Sequence, residues 1–201
     1  TQFNLVAREG YVSVADGGSL YSWGYALDSG LMQYPGPTLI VNQGATVTVT
    51  LRNELPVPAG NVSIVFPGQA VTASGGVAGK LTREAAPGGA SAVTYTFVAA
   101  KPGTFSYHSG TQVGLQVEMG LVGALIVRPA GFDPMHPMAY GHMDSHYTYE
   151  HLYLLTEMDL NIHNAVANGV ATGAIAVDTT SYFPVYWFIN GRAAPDTMFP
   201  D

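Results

Sequence analysis

The clearest feature of the sequence is a regular alternation of apolar and polar residues in two segments. Residues 45–53, ATVTVTLRN, place Val47, Val49 and Leu51 at every second position, with polar residues between them. Residues 93–99, VTYTFVA, repeat the pattern with aromatic side chains. A period of two directs successive side chains to opposite faces of a sheet. Both segments are therefore predicted to be strands with one buried face and one exposed face.

Shorter strand candidates occupy most of the remaining N-terminal part and are separated by glycine- and proline-rich turns. The candidates are FNLVARE, YVSVAD, LYSWGYA, PTLIVN, VSIVF, TFSYH and VGALIVRP. The turns include ADGGS, YPGP, LPVPAGN, APGGAS and KPG, and such residues mark chain reversals. About eight or nine strands in the first ~130 residues, without a helical pattern between them, predict an antiparallel all-β sandwich or barrel.

The character of the chain changes after Pro129. Residues 130–151 are polar, aromatic and rich in histidine and methionine, and they are predicted to form a loop or linker. Residues 152–159, LYLLTEMD, are predicted to form a strand. Residues 160–169 are predicted to form a short helix that ends at Gly169.

The C-terminal residues predict a further strand, followed by a segment without a strand pattern. Residues 184–191, PVYWFING, are an apolar run followed by Asn190 and Gly191, a pair typical of a tight turn. Residues 194–201, APDTMFPD, carry neither a strand pattern nor a cap. We interpret this ending as a sign that the polypeptide continues.

Composition excludes several classes of function. The chain has 201 residues, of which 47% are hydrophobic and 10% charged, so it can bury a sizeable core. Its net charge is −7 and its seven lysines and arginines do not cluster, so we expect no nucleic-acid partner. No apolar run approaches the ~20 residues of a membrane span. The absence of cysteine excludes disulfides and any metal site that requires a thiolate.

Several motifs, in order, resemble a domain of the multicopper oxidase family. YPGPTLIVNQGATVTVTLRNELP and KPGTFSYHSGTQVGLQVEMGLVGALIVRP are similar to the opening and closing strands of a cupredoxin domain. HLYLLTEMD and YWFINGRAAPDT are similar to the segment that leads into the next domain. The resemblance implies a cupredoxin-like Greek-key β-sandwich at residues 1–130. Residues 131–201 are then a linker and connecting segment toward a further cupredoxin domain.

The copper ligands that the resemblance implies are mostly absent. In active members of the family, the first domain supplies two His-x-His pairs to a trinuclear copper centre. Val65 and Pro67 stand where the first pair is expected. The second pair reads Tyr-His-Ser-Gly, which leaves His108 as the one remaining candidate ligand. The alternative for His108 is an ordinary histidine at a strand end, hydrogen-bonded to backbone or to a carboxylate.

The blue-copper positions of the family are also substituted. Some cupredoxin domains place cysteine, histidine and methionine on this loop. When the glycines are aligned, those places fall near Ser109, Gln116 and Leu121. Serine and glutamine are poor ligands for a soft metal, and leucine is none. We therefore expect that this chain alone does not bind copper, although copper is the cofactor of the intact family.

The linker supplies a second set of candidate ligands. His142 and His146 are the best placed, and imidazole together with thioether suits copper. Four residues apart, they would share a face only on a helix, which Gly141 makes doubtful. The other histidines and methionines of the segment are His136, His151, Met135, Met138 and Met143. The alternative is a surface linker with incidental histidine and methionine.

Two glutamates are candidate general bases because they lie among apolar or small residues. Glu84 and Glu118 could each have a raised pKa if buried. Neither has a histidine or nucleophile at a recognisable spacing, so surface or interface pairing is the alternative.

The resemblance implies a multicopper-oxidase-like protein. In the intact family, substrate electrons enter at a blue-copper centre and pass to the trinuclear centre, which reduces dioxygen to water. This chain would be a metal-poor N-terminal cupredoxin domain of such a protein. Two alternatives remain: a non-catalytic structural or assembly module, and a copper-binding protein that uses the linker. Further cupredoxin domains or subunits are the expected partners, in an oligomer, and the expected location is periplasmic or extracellular.

Overall fold

Within the described residues, the N-terminal part of the chain is built from ten strands, most of them short. The computed structural model describes residues 1–14 and 16–194. The strands are β1 (Gln2–Ser13), β2 (Ser19–Leu27), β3 (Leu39–Asn42), β4 (Thr46–Asn53), β5 (Thr72–Gly75), β6 (Val77–Ala78), β7 (Arg83–Glu84), β8 (Ala92–Val98), β9 (Gly103–His108) and β10 (Val122–Arg128). A 3-10 turn (Val57–Ala59) follows β4, and a one-turn helix α1 (Val113–Gln116) separates β9 from β10.

These strands form two main sheets. The larger has the order β2-β1-β4-β8-β5, in which β1 and β4 are parallel and the other neighbours antiparallel. The smaller has the order β3-β10-β9, with β10 parallel to β3 and antiparallel to β9. β6 and β7 form a separate antiparallel pair.

The core lies between the two main sheets. Val47, Val49 and Leu51 of β4 are fully buried, as the alternation predicts, and the smaller sheet contributes Leu39 and Leu125 to the same cluster. Burying each such side chain stabilises the fold by about 1.5–3 kcal/mol. The prediction of an all-β sandwich is confirmed.

Glycine misled the prediction at the N-terminus. FNLVARE and the first three residues of YVSVAD belong to one continuous strand, β1, and not to two strands. Gly10 lies within it, paired with Ser22, and a Cβ there would lie 2.8 Å from Met32 Cε. The glycine therefore makes room for a methionine side chain and does not end the strand.

Two further expectations for this part were wrong. The segment VSIVF is not a strand, because it makes only isolated bridges at Val62 and Val65. Its apolar character reflects burial, since Val62, Ile64 and Phe66 all lie in the core. A helix is also present where none was expected, the single turn α1.

Residues after Pro129 add a smaller unit to the sandwich. They contain a 3-10 turn (Met143–Ser145), β11 (Leu155–Met158), helix α2 (Leu160–Thr172), β12 (Tyr186–Ile189) and β13 (Arg192–Ala193). We call the antiparallel sheet β11-β12-β13 the extension sheet. The predicted turn between β12 and β13 is confirmed, with positive φ at Asn190 and Gly191. The prediction for residues 195–201 lies outside the described residues.

Helix α2 has the predicted start and a later end than predicted. Asp159 caps the helix, because its Oδ1 accepts a hydrogen bond from Asn161 N at 2.8 Å. The helix ends at Gly173, which has a φ of 87°, and not at Gly169. A Cβ on Gly169 would lie 2.8 Å from Ala174 O, so this glycine permits close packing. No helix among the described residues is long and apolar enough to cross a membrane.

A buried histidine, which the sequence analysis did not single out, joins α2 to the sandwich. His163 is fully buried. Its Nδ1 lies 2.6 Å from Tyr21 O on β2, and its Nε2 lies 3.2 Å from Glu118 O in the turn after α1. One ring therefore bridges three elements that are distant in sequence.

Glu118 completes this attachment with its side chain. Its Oε1 accepts a hydrogen bond from Asp159 N at 2.6 Å, and its Oε2 accepts one from the Tyr182 hydroxyl at 3.0 Å. Burial and the adjacent Glu118 carboxylate raise the pKa of Tyr182, which keeps the hydroxyl a donor. The contacts of Glu118, a candidate base by sequence, are those of an anchor for the C-terminal unit.

Replacing His163 tests whether this contact fixes the C-terminal unit. His163→Ala removes the contacts of the ring with Tyr21 O and Glu118 O and opens a cavity. We expect a loss of about 2–4 kcal/mol in the free energy of unfolding, measured by urea denaturation. His142→Ala, at an exposed position, is the control and should change stability by less than about 0.5 kcal/mol. Equal losses in the two variants would contradict the assignment.

Candidate metal centre

The two places where copper ligands were expected lie side by side at one end of the sandwich. Val65 N donates to His108 O at 2.8 Å, and His108 N donates to Val65 O at 3.2 Å. Val65 stands at a position where the family resemblance implies a histidine. The structure therefore brings the two motif positions together as an intact family site would require, with valine opposite histidine.

His108 is half-buried at the end of β9. Its Nδ1 lies 3.0 Å from the carbonyl oxygen of the next residue, Ser109. No group of three or more histidine, cysteine, aspartate or glutamate side chains within the described ranges could hold a metal ion. The assignment of His108 as a ligand stays a prediction.

Ser109 and Gln116, at two of the expected blue-copper positions, are hydrogen-bonded to each other. Both side chains are fully buried. Ser109 Oγ donates to Gln116 Oε1 at 2.7 Å, and Gln116 Nε2 donates to Asn61 O at 2.8 Å and to Ala59 O at 3.3 Å. The amide therefore links the turn that contains α1 to the loop after β4. Leu121, at the third position, is buried in the core.

A second buried network runs beside the first. Ser63 Oγ lies 2.9 Å from Thr111 Oγ1, which donates to Glu84 Oε1 at 2.9 Å. Asn61 Nδ2 donates to the other carboxylate oxygen of Glu84 at 3.1 Å. Gly110 N donates to Ser63 Oγ at 3.1 Å. Glu84, the other candidate base, therefore closes a set of structural hydrogen bonds.

Buried tyrosines hold the loop that carries Ser63. The Tyr25 hydroxyl donates to Ser63 O at 2.8 Å. The Tyr95 hydroxyl donates to Arg83 O at 2.7 Å and accepts from Ile64 N at 3.1 Å. Burial raises the pKa of both tyrosines, so the hydroxyls stay protonated and keep donating. The loop is thus fixed by backbone contacts from both sides.

The donor set at these positions does not fit a copper ion. Copper prefers imidazole, thiolate and thioether, whereas the positions hold a hydroxyl, an amide and an alkyl group. The hydroxyl and the amide are already paired, and breaking such buried bonds costs about 1–3 kcal/mol for each group left unsatisfied. No catalytic step through copper can be derived from these residues.

Sequence reasoning missed most of this network. Asn61, Ser63 and Thr111 were not predicted to be hydrogen-bond partners in the interior, although Ser63 interrupts the apolar run VSIVF. A small polar residue at a buried position requires a hydrogen-bond partner, and that requirement was the available signal. The identity of the partners could not be read, because Ser63 and Thr111 lie 48 residues apart.

The structure does not gather the histidines of the linker into one site. His136 Nδ1 lies 3.1 Å from Asp133 Oδ2, and the ring of His142 stacks on Tyr140. His142 and His146 flank the 3-10 turn and do not share a helix. His146 forms an isolated backbone bridge with Met138, which places one imidazole-bearing and one thioether-bearing residue opposite each other in the linker. Metal binding by His142 and His146 stays a prediction.

Comparison of sequences relates the chain to copper oxidoreductases. The sequence model of the multicopper oxidase family matches residues 31–131. The chain is 40% identical over 124 residues to a probable nitrite reductase-hydroxylamine oxidoreductase fusion protein of Kuenenia stuttgartiensis, covering 58% of this chain and 14% of that protein. It is 35% identical over 106 residues to the multicopper oxidase MCE of Talaromyces pinophilus, covering 51% of this chain and 16% of that protein. The chain thus spans only a small part of both curated relatives.

Comparison of structures confirms the cupredoxin fold. The blue copper oxidase from Nitrosomonas europaea superposes with a TM-score of 0.70 at 21% identity, covering 97% of this chain and 54% of that chain. The multicopper oxidase mgLAC superposes with a TM-score of 0.69 at 21% identity, covering 96% of this chain and 54% of that chain. The chain spans about half the length of these structures.

Replacing Gln116 tests whether the buried network supports the fold. Gln116→Leu keeps the approximate volume but removes the stronger of the two acceptors of the Ser109 hydroxyl and leaves the carbonyl groups of Ala59 and Asn61 without their amide donor. We expect a loss of about 2–3 kcal/mol in the free energy of unfolding, against less than about 0.5 kcal/mol for the exposed control Gln2→Leu. Urea denaturation of both variants provides the measurement.

A double variant shows whether the two side chains act together. Ser109→Ala combined with Gln116→Leu should lose less than the sum of the two single losses, because the hydroxyl is removed with its partner. Strict additivity would argue against a direct hydrogen bond between the two side chains.

Proposed function

Because the chain belongs to the multicopper oxidase family, we propose that it is a cupredoxin domain of a copper-dependent oxidoreductase whose copper centres lie outside these residues. Within such a protein the domain is a structural part: it keeps the sandwich and the interfaces of the family without a metal of its own. Further cupredoxin domains or subunits would then carry the redox chemistry. An exported location, periplasmic or extracellular, belongs to the same proposal and rests on family membership alone.

The observation that carries the proposal is the hydrogen bond between Ser109 and Gln116. The two side chains occupy positions where the family resemblance implies metal ligands, and each satisfies the other at 2.7 Å in the buried interior. A metal-binding domain that had only lost its metal would keep its ligands. Here the position has been rebuilt with residues that stabilise the fold by other means.

The relatives support the class of protein and not a particular reaction. One is described as a multicopper oxidase and the other as a probable nitrite reductase fusion. These are different activities, and the chain covers only 14% and 16% of the two proteins. We therefore propose a copper oxidoreductase as the parent protein, with the substrate left open.

A second candidate function is copper capture by the linker. The observation in its favour is the bridge between Met138 and His146, which places a thioether-bearing and an imidazole-bearing residue opposite each other. Copper(I) accepts such a pair of ligands. Since useful metal sites need about three or four ligands, a linker site would also need a residue such as His142.

The copper content of the purified chain distinguishes these functions. The chain is exposed to copper(II), and separately to copper(I) under reductant, then desalted and subjected to elemental analysis. We expect well below one copper per chain, because the donor set at the end of β9 does not fit the metal. His108→Ala should give the same low value.

Two results would overturn this assignment in different ways. A content of about one copper per chain that is lost in His108→Ala would place a metal at the end of β9. A content that is lost only when His142 and His146 are both replaced by alanine would favour the linker. Intact mass of each sample confirms that the expected chain was measured.

A further inference from the structure

The extension sheet presents an apolar face to solvent. The side chains on this face, here called the outer face, are Leu155 of β11 and Val185, Trp187 and Ile189 in and beside β12. Their exposed fractions are 71%, 51%, 65% and 39%. Leu155 pairs directly with Ile189, and Trp187 lies opposite Glu157 two residues further along the same face. The apolar residues are therefore neighbours on two adjacent strands.

The opposite face of the same sheet is already covered. Met158 and Phe188 are buried in a cluster with Val12, Val14 and Leu20 of the β1–β2 hairpin. The ring of Phe188 also packs edge-on against Tyr34 at 5.6 Å between centroids. The sheet therefore contacts the sandwich through the face that carries Met158 and Phe188. The outer face is a second apolar surface on the other side.

The pattern of β12 differs from that of strands with one solvent face. β4 alternates buried valine and leucine with threonine on its other face. β12 and its preceding residue instead read Val-Tyr-Trp-Phe-Ile without a charged or small polar residue. Continuous apolar runs are typical of strands that are buried on both faces. The sequence of β12 therefore fits a sheet with a further layer on its outer side.

We propose that the outer face packs against a further cupredoxin domain of the same polypeptide, and that the extension sheet forms the seam between the two domains. This inference rests on the proposed function and names the surface through which the metal-free domain contacts its partner.

The length of the structural relatives supports a domain as the occupant. They match 96% and 97% of this chain, the extension included, yet this chain fills only 54% of each. A segment as long as a second domain therefore accompanies the same extension in those proteins.

Covalent footprinting tests the inference on the complete translation product of the gene. Carbene labelling of side chains is compared between the 201-residue chain and the complete product, both at low concentration and with their masses verified. We expect labelling of Trp187 and Leu155 to fall several-fold in the complete product. Leu31 and Met143, which are 86% and 81% exposed, are the controls and should label equally in both.

A substitution provides a second readout. Trp187→Glu should leave the stability of the 201-residue chain unchanged within error, because the side chain lies in solvent there, and should clearly lower the stability of the complete product. Leu31→Glu, also at an exposed apolar position, should leave both unchanged. A loss confined to the complete product supports a domain seam.

Three results would overturn the inference. Equal labelling of Trp187 in both proteins would mean that nothing covers the face. Protection that appears in the 201-residue chain only as its concentration rises, with the mass of a dimer, would make a second copy the occupant. A complete product that ends at Asp201 would leave no domain to dock. The first two results leave the proposed function intact, because copper content tests it separately. The third would also require the copper centres to lie in other subunits.

Discussion

The buried hydrogen bond between Ser109 and Gln116 holds together the end of the sandwich at which the family resemblance implies copper ligands. In a metal-binding domain, the ion itself connects the loops that supply its ligands. Here the Gln116 amide connects them, because its nitrogen reaches Asn61 O and Ala59 O while its oxygen accepts from Ser109. Each bond contributes about 0.5–1.5 kcal/mol net, and an unsatisfied partner would cost more. In the proposed metal-free domain, these neutral hydrogen bonds take the place of metal coordination in holding the loops together.

The same short turn also positions the C-terminal unit. Glu118 follows Gln116 by two residues, and it receives hydrogen bonds from Asp159 at the start of α2 and from Tyr182. His163 adds a contact to the Glu118 carbonyl and to β2. The hydrogen bonds of Ser109 and Gln116 and the attachment of the extension thus share one structural element. A substitution that destabilises the turn would weaken both the buried hydrogen bonds and the attachment of the extension. The turn therefore connects the sandwich to the proposed seam.

Strands and turns that follow from local residue patterns could be predicted from the sequence. Contacts between residues far apart in the chain could not. The alternation in β4 and β8, the strand β12 and the turn at Asn190 follow from residue patterns within a few positions. Glycine was misread at Gly10 and Gly169, because close neighbours from other elements decided its role. The link between His163 and Glu118 joins residues 45 positions apart. At the candidate site, the sequence indicated that ligands were missing but could not indicate which hydrogen bonds replaced them.

Whether Ser109 and Gln116 bond to each other and not to a metal is tested most directly by diffraction at the copper absorption edge from crystals of this chain soaked in copper. The anomalous signal locates copper atom by atom, and the refined structure shows whether Ser109 and Gln116 remain bonded. We expect no anomalous peak at the end of β9 and an intact hydrogen bond between the two side chains. A peak within bonding distance of His108 or Gln116, with that hydrogen bond broken, would contradict this expectation.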